Sequence, residues 1–106
     1  MRHFRPAELQ AYLQQTTTPP LLLDVREPWE FAICHIEGSK LVPMRQIPTA
    51  TDQFDKESDI VVICHHGIRS RQIAKYLESL DFKNMINLEG GVQAWAADVD
   101  HTMATY

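Results

Sequence analysis

Seven consecutive residues, Cys64-His65-His66-Gly67-Ile68-Arg69-Ser70, gather groups able to do covalent chemistry. A cysteine is a strong nucleophile as its thiolate, so its surroundings decide what it does. Gly67 can take left-handed backbone angles and curl the loop until its N–H groups form a nest for negative charge. A helix opening after the loop would aim its N-terminal amides at the same point. Arg69, His65 and His66 can add positive charge, although imidazoles carry only part of one at neutral pH. Such a thiolate suits an anionic or polarised sulfur, phosphorus or arsenic centre. Cys64 is therefore the candidate nucleophile, and His65, His66, Gly67, Ile68, Arg69 and Ser70 form the candidate substrate-binding loop. The plainer reading, a small apolar side chain closing a buried strand, leaves Gly67 and Arg69 unexplained.

The flanking sequence supplies elements to hold this loop. Ile60-Val61-Val62-Ile63-Cys64 is β-branched and reads as a strand. Arg69 to Leu80 puts Ile73, Tyr76, Leu77 and Leu80 on one helical face. Upstream, Pro6 to Leu13 reads as a short helix and Leu21 to Val25 as a buried strand, kept short by Pro20 and Pro28. Pro28 to Ala32 is expected to form a helical turn, and Lys40 to Val42 a strand ended by Pro43. Met44 to Ser58 reads as irregular or weakly helical. Met85 to Leu88 is a further strand, and Gly91 to Ala97 a closing helix after a Gly90-Gly91 turn.

This alternation predicts an α/β fold: a single small domain over residues 1–106, with a central parallel sheet flanked by helices on both faces. Ligands in such sheets bind beyond the carboxyl ends of the strands, where Cys64 falls. Asp24 and Arg26 follow the first strand at the same edge. They are expected to support the loop through hydrogen bonds or an ion pair rather than touch substrate. Trp29, Phe31 and Trp95 are expected to anchor the core.

Composition narrows the function. The 106 residues are 44% hydrophobic and 23% charged, near the averages for globular domains. Ten basic against fourteen acidic residues give a net charge of -4, which argues against a general nucleic-acid binder. No run approaches the ~20 apolar residues of a membrane span. Arg2 and Arg5 are followed by no apolar stretch of the secretory kind. Two cysteines are too few for a disulfide framework and suit a reducing compartment, so a cytoplasmic setting is expected. Cys34, His35, Cys64, His65 and His66 match no structural zinc spacing, and no metal or other cofactor is expected. Cys34 reads as a packed thiol in preference to a redox or relay group.

Four ordered segments carry a resemblance. They are Leu23-Asp24-Val25-Arg26-Glu27-Pro28-Trp29-Glu30-Phe31, His35-Ile36-Glu37-Gly38-Ser39, the Cys64–Ser70 loop, and Leu88-Glu89-Gly90-Gly91-Val92-Gln93-Ala94-Trp95. From Leu21 to Trp95 the chain resembles the rhodanese homology domain. The resemblance implies a small α/β domain whose cysteine takes a sulfane sulfur as a persulfide and passes it to cyanide or a thiol. It implies a small anionic donor, or a protein donor or acceptor, with Arg69 orienting the anion. The six-residue loop from Cys64 to Arg69 matches sulfurtransferases of this type. Related phosphatases and arsenate reductases carry one residue more, which would need arginine where Ser70 stands. A non-catalytic sulfur carrier or interaction module is the alternative. Cys34 departs from the family pattern, standing where glycine is usual, and Glu37 where proline is common.

Overall fold

Side chains along the strands alternate between two cores, as a pleated strand buried on both faces requires. Ile60, Val62 and Cys64 enter one cluster with Leu23, Val25 and Met85. Val61 and Ile63 enter the other with Leu22, Ile86 and Leu88. The computed structural model describes residues 1–106. Its five strands are β1 (Arg2–Phe4), β2 (Leu21–Asp24), β3 (Lys40–Leu41), β4 (Ile60–Ile63) and β5 (Met85–Leu88). They form one sheet in the order β1-β5-β4-β2-β3, and every pairing is parallel.

The helices cover both faces. Ile47 and Ala50 of α3 (Ile47–Ala50) join Ile73, Ala74 and Leu77 of α4 (Ile68–Ser79) on the first core. Leu9 of α1 (Pro6–Gln15) joins Val92 and Trp95 of α5 (Gly91–Asp98) on the second. α2 (Pro28–Ile33) links β2 to the segment before β3. From β2 the chain steps to one edge of the sheet; from β4 it steps toward the other. The switch between β2 and β4 opens a crevice at their carboxyl ends. Cys64 follows β4 there, and Asp24 closes β2 alongside, in register with Ile63. No helix is long and apolar enough to cross a membrane.

Local structure differs from the expectations at β1 and Trp29, and the weakly helical stretch after Pro43 takes definite form. β1 is a strand that Arg2-His3-Phe4 does not announce; backbone pairing to β5 makes it, with Arg2 opposite Ile86 and Phe4 opposite Leu88. Residues 44–53 are an unbroken series of short helical pieces, with 3₁₀ turns at Met44–Gln46 and Thr51–Gln53 flanking α3. Trp29 is not a core anchor: it is 60% exposed. α2 turns the adjacent Glu30 inward instead, and a helix rotates successive side chains by about 100°, which leaves Trp29 outward. Phe31 is half-buried and stacks on His35 at 3.9 Å, while Trp95 lies in the core.

Candidate active site

Cys64 is buried, and its sulfur accepts the Gly67 N–H at 3.0 Å. Gly67 caps α4 with φ of +97°, a left-handed angle that side chains disfavour. A Cβ there would also stand 3.0 Å from the Gly90 nitrogen. The loop is held from behind by α5. The Val92 and Gln93 amides donate to the carbonyls of Cys64 and His65 at 2.9 and 3.2 Å. That approach needs Gly91, since a Cβ would fall 2.3 Å from the Cys64 oxygen and 2.4 Å from that of His65. The first-turn donors of α5 thus fix the loop carbonyls, while α4 begins beside the sulfur with its positive dipole end.

A polar chain runs inward from the thiol. The Cys64 Sγ lies 3.3 Å from Ser70 Oγ. Ser70 donates to Asn87 Oδ1 at 2.5 Å, and Asn87 Nδ2 donates to the Gly67 carbonyl at 3.3 Å. Ser70 and Asn87 are fully buried. The Ser70 hydroxyl can rotate its one hydrogen toward either Asn87 or sulfur, so it serves both the thiol and the thiolate.

Arg69 reaches across to α2. Its two terminal nitrogens meet the two Glu30 carboxylate oxygens at 2.8 Å each. This fork holds Glu30 down at about 2, aided by the Glu27 N–H and the Tyr106 hydroxyl and opposed by burial. Arg69 therefore meets any donor already paired to a carboxylate. Its side chain keeps 35% exposure on the first turn of α4, whose N-cap Gly67 donates to the Cys64 sulfur. Tyr106 donates to Glu30 Oε2 at 2.7 Å and accepts from Arg26 Nη1 at 2.9 Å. Its ring stacks on His65 at 3.9 Å and 15°. Burial, followed by the charge of His66, pushes His65 below the usual imidazole range. His65 is half-buried in this stack; His66 and Ile68 are exposed.

Asp24 and Arg26 are completely buried, joined at 2.7 Å through Arg26 Nη2. Arg26 also donates to the carbonyls of Cys34 and Glu30 at 2.7 and 3.3 Å. The pair therefore braces the end of α2 and Tyr106, with no direct bond to the cysteine loop. Cys34 is buried with its sulfur 3.9 Å from Arg26 Nη1. Glu30, Asn87 and Tyr106 escaped the sequence reading. Asn87 carried a signal, a polar residue inside the apolar run Met85-Ile86-Asn87-Leu88. Glu30 carried one in its spacing from Glu27, whose N–H it accepts at 3.0 Å.

Comparison with known proteins identifies the family of the fold. The profile of the rhodanese-like domain matches residues 5–98. Over 89 residues, the chain is 42% identical to the Arabidopsis thaliana rhodanese-like/PpiC domain-containing protein 12, chloroplastic. That alignment takes 80% of this chain but spans only 30% of the longer plant protein. Thiosulfate sulfurtransferase GlpE of Tolumonas auensis is 32% identical over 74 residues, covering 70% of each chain. The crystal structure of a rhodanese-like domain protein from Staphylococcus aureus superposes with a TM-score of 0.83 at 34% identity, covering 90% of this chain and 91% of that one. Together with the glycine-bent cysteine loop at the end of β4, these matches establish that the chain belongs to the rhodanese-like domain family.

Proposed function

We propose that this chain is a sulfurtransferase that carries sulfane sulfur on Cys64 as a persulfide, loading it from a small anionic donor such as thiosulfate. The observation that carries the reading is the Gly67 N–H at 3.0 Å from the sulfur, in a loop of six residues from Cys64 to Arg69. The Cys64 thiolate attacks the outer sulfur of thiosulfate. The S–S bond of the donor breaks and sulfite leaves with the electron pair, so Cys64 holds a persulfide anion. The Gly67 N–H and the α4 N-terminus then stabilise that charge, as an oxyanion hole does. Cyanide or a thiolate attacks the terminal sulfur, and the Cys64 thiolate leaves. Both half-reactions exchange one nucleophile for another, so no cofactor takes part. His65, His66, Gly67, Ile68, Arg69 and Ser70 line the loop that receives the donor. Asp24 and Arg26 support it at second hand. Two unpaired thiols fit a reducing setting such as the cytoplasm.

A second reading, a carrier supplied by a protein persulfide, is favoured by one observation. Trp29 and Ile68, each 60% exposed, are the immediate neighbours of Glu30 and Arg69, so apolar surface flanks the ion pair. A thiosulfate:cyanide assay on the wild type and Cys64→Ala decides. Turnover lost in the variant supports the first reading. A folded wild type with no turnover, but loaded by a protein persulfide, supports the second. Turnover that survives in Cys64→Ala contradicts both.

A further inference from the structure

Tyr106 comes from the segment after α5, yet it touches Arg26, Trp29, Glu30 and His65 at the candidate site. Its hydroxyl lies between Glu30 and Arg26, donating to the first and accepting from the second. Its ring lies flat on His65 and edge-on to Trp29, with centroids 5.7 Å apart in the latter pair. Glu30 in turn occupies both terminal nitrogens of Arg69.

The arrangement has a consequence for the charge that an incoming anion meets. Arg69 has five N–H donors and spends one from each terminal nitrogen on Glu30. The others are left on a side chain that is one-third exposed, in the first turn of the helix whose N-cap Gly67 binds the Cys64 sulfur. How cationic that edge remains depends on how fully Glu30 neutralises it. A hydrogen bond donated to a carboxylate withdraws negative charge, and here the donor is itself polarised by the Arg26 guanidinium behind it. We infer that Tyr106 is a positioning residue for the sulfur donor: its hydroxyl relieves Glu30 of part of its charge, so that Arg69 keeps a cationic edge toward an anion at Cys64. This inference rests on the sulfurtransferase reading for the identity of the donor, but not for the direction of the effect.

The titratable groups around this network come from α2 and its flanking turns, the cysteine loop and α4, with the buried Cys34 thiol 3.9 Å from Arg26 Nη1. α2 contributes Glu30, with Glu27 at its N-cap; the β2–α2 turn contributes Arg26, paired to Asp24. The cysteine loop contributes Cys64, His65 and His66, and α4 contributes Arg69. Arg26 and Arg69 are the cations on either side of the hydroxyl–carboxylate pair, and Glu30 is the carboxylate they share.

The test removes chemistry from the measurement. Thiosulfate is titrated into Cys64→Ser, which keeps the loop but cannot form a persulfide, and the Gly67 amide resonance is followed. The same titration is made in Cys64→Ser/Tyr106→Phe, which keeps the ring on His65, and in Cys64→Ser/Tyr106→Ala. The expected result is a three- to tenfold weaker Kd in the Phe variant at an unchanged melting temperature, and no less weakening in the Ala variant. In the Cys64 background, Tyr106→Phe should raise KM for thiosulfate by the same factor with kcat preserved. An unchanged Kd in the Phe variant overturns the inference, even if the Ala variant binds weakly, because the ring alone would then act. A Gly67 resonance that never shifts in Cys64→Ser overturns it too. If Cys64→Ser binds thiosulfate yet the wild type gains no sulfur from it, the sulfurtransferase reading fails while the effect of Tyr106 is still read.

Discussion

Arg69 and Glu30 are clasped by two parallel hydrogen bonds of 2.8 Å that join the cysteine loop to α2. The carboxylate side is nearly buried, at 5% exposure, while the guanidinium keeps 35%. This places the fork between an exposed surface pair and a buried one. Breaking one partner of a buried pair leaves a charge without compensation, whereas exposed pairs contribute little.

A double-mutant cycle with Arg69→Gln and Glu30→Gln should therefore give a coupling energy of about 1–3 kcal/mol, measured by denaturant unfolding. Partial exposure of Arg69 keeps it below the full buried range. A coupling near zero would mean that the fork is only a surface contact.

The same fork makes stability depend on acid. Glu30 is held at about 2 against its ordinary 4.5, chiefly by Arg69. A lowered carboxylate contributes stability that is complete above the unfolded value and is lost as pH falls through the folded one. Unfolding free energy should accordingly decline between about pH 4.5 and 2, and Glu30→Gln should flatten the part of that slope that is due to this group. A wild type and variant with superimposable slopes would contradict the assignment.

Gly91→Ala should be more damaging than a change of one methyl suggests. The added carbon would meet the backbone oxygens of Cys64 and His65, at 2.3 and 2.4 Å, and the residue has φ of +59°. Backbone atoms cannot swing aside as a flexible side chain does, so α5 must withdraw from the loop. Overpacking and left-handed strain together predict a loss of about 2–4 kcal/mol. Sulfur loading of whatever remains folded should fall at least tenfold, as read by thermal melting and a loading assay.

Ser70→Ala leaves Asn87 Oδ1 without its donor and Cys64 without its nearest hydroxyl, both in a fully buried position. The expected cost is about 1–3 kcal/mol in denaturant unfolding, the range for an orphaned buried polar atom. Loading from thiosulfate should slow as well. Full stability in the variant would show that the Asn87 carbonyl finds another partner.

The parts of this site that sequence pattern exposed are those with local rules. β-branched residues marked β4, a 3.6-residue stripe marked α4, and glycine between cysteine and arginine marked the loop. Of the expected α4 face, Ile73 and Leu77 enter the first core and Leu80 packs against it, while Tyr76 is exposed. What pattern could not convey is pairing across distance. Glu30 meets Arg69 from 39 residues away, and Tyr106 meets Arg26 from 80 residues away. Trp29 misled for the same reason: the partner of its neighbour Glu30 turned the helix, and that partner lies in another element. β1 exists because β5 offers it an edge, which no propensity in Arg2-His3-Phe4 could announce.

The central claim is that Cys64 itself carries the sulfur. Intact mass recorded before and after brief thiosulfate treatment, on the wild type and Cys64→Ser, tests it without depending on the acceptor. A gain of one sulfur atom is expected in the wild type, reversed by cyanide and absent in the variant. An equal gain in Cys64→Ser would move the sulfur to another residue, Cys34 first, and would rule out Cys64 as the carrier.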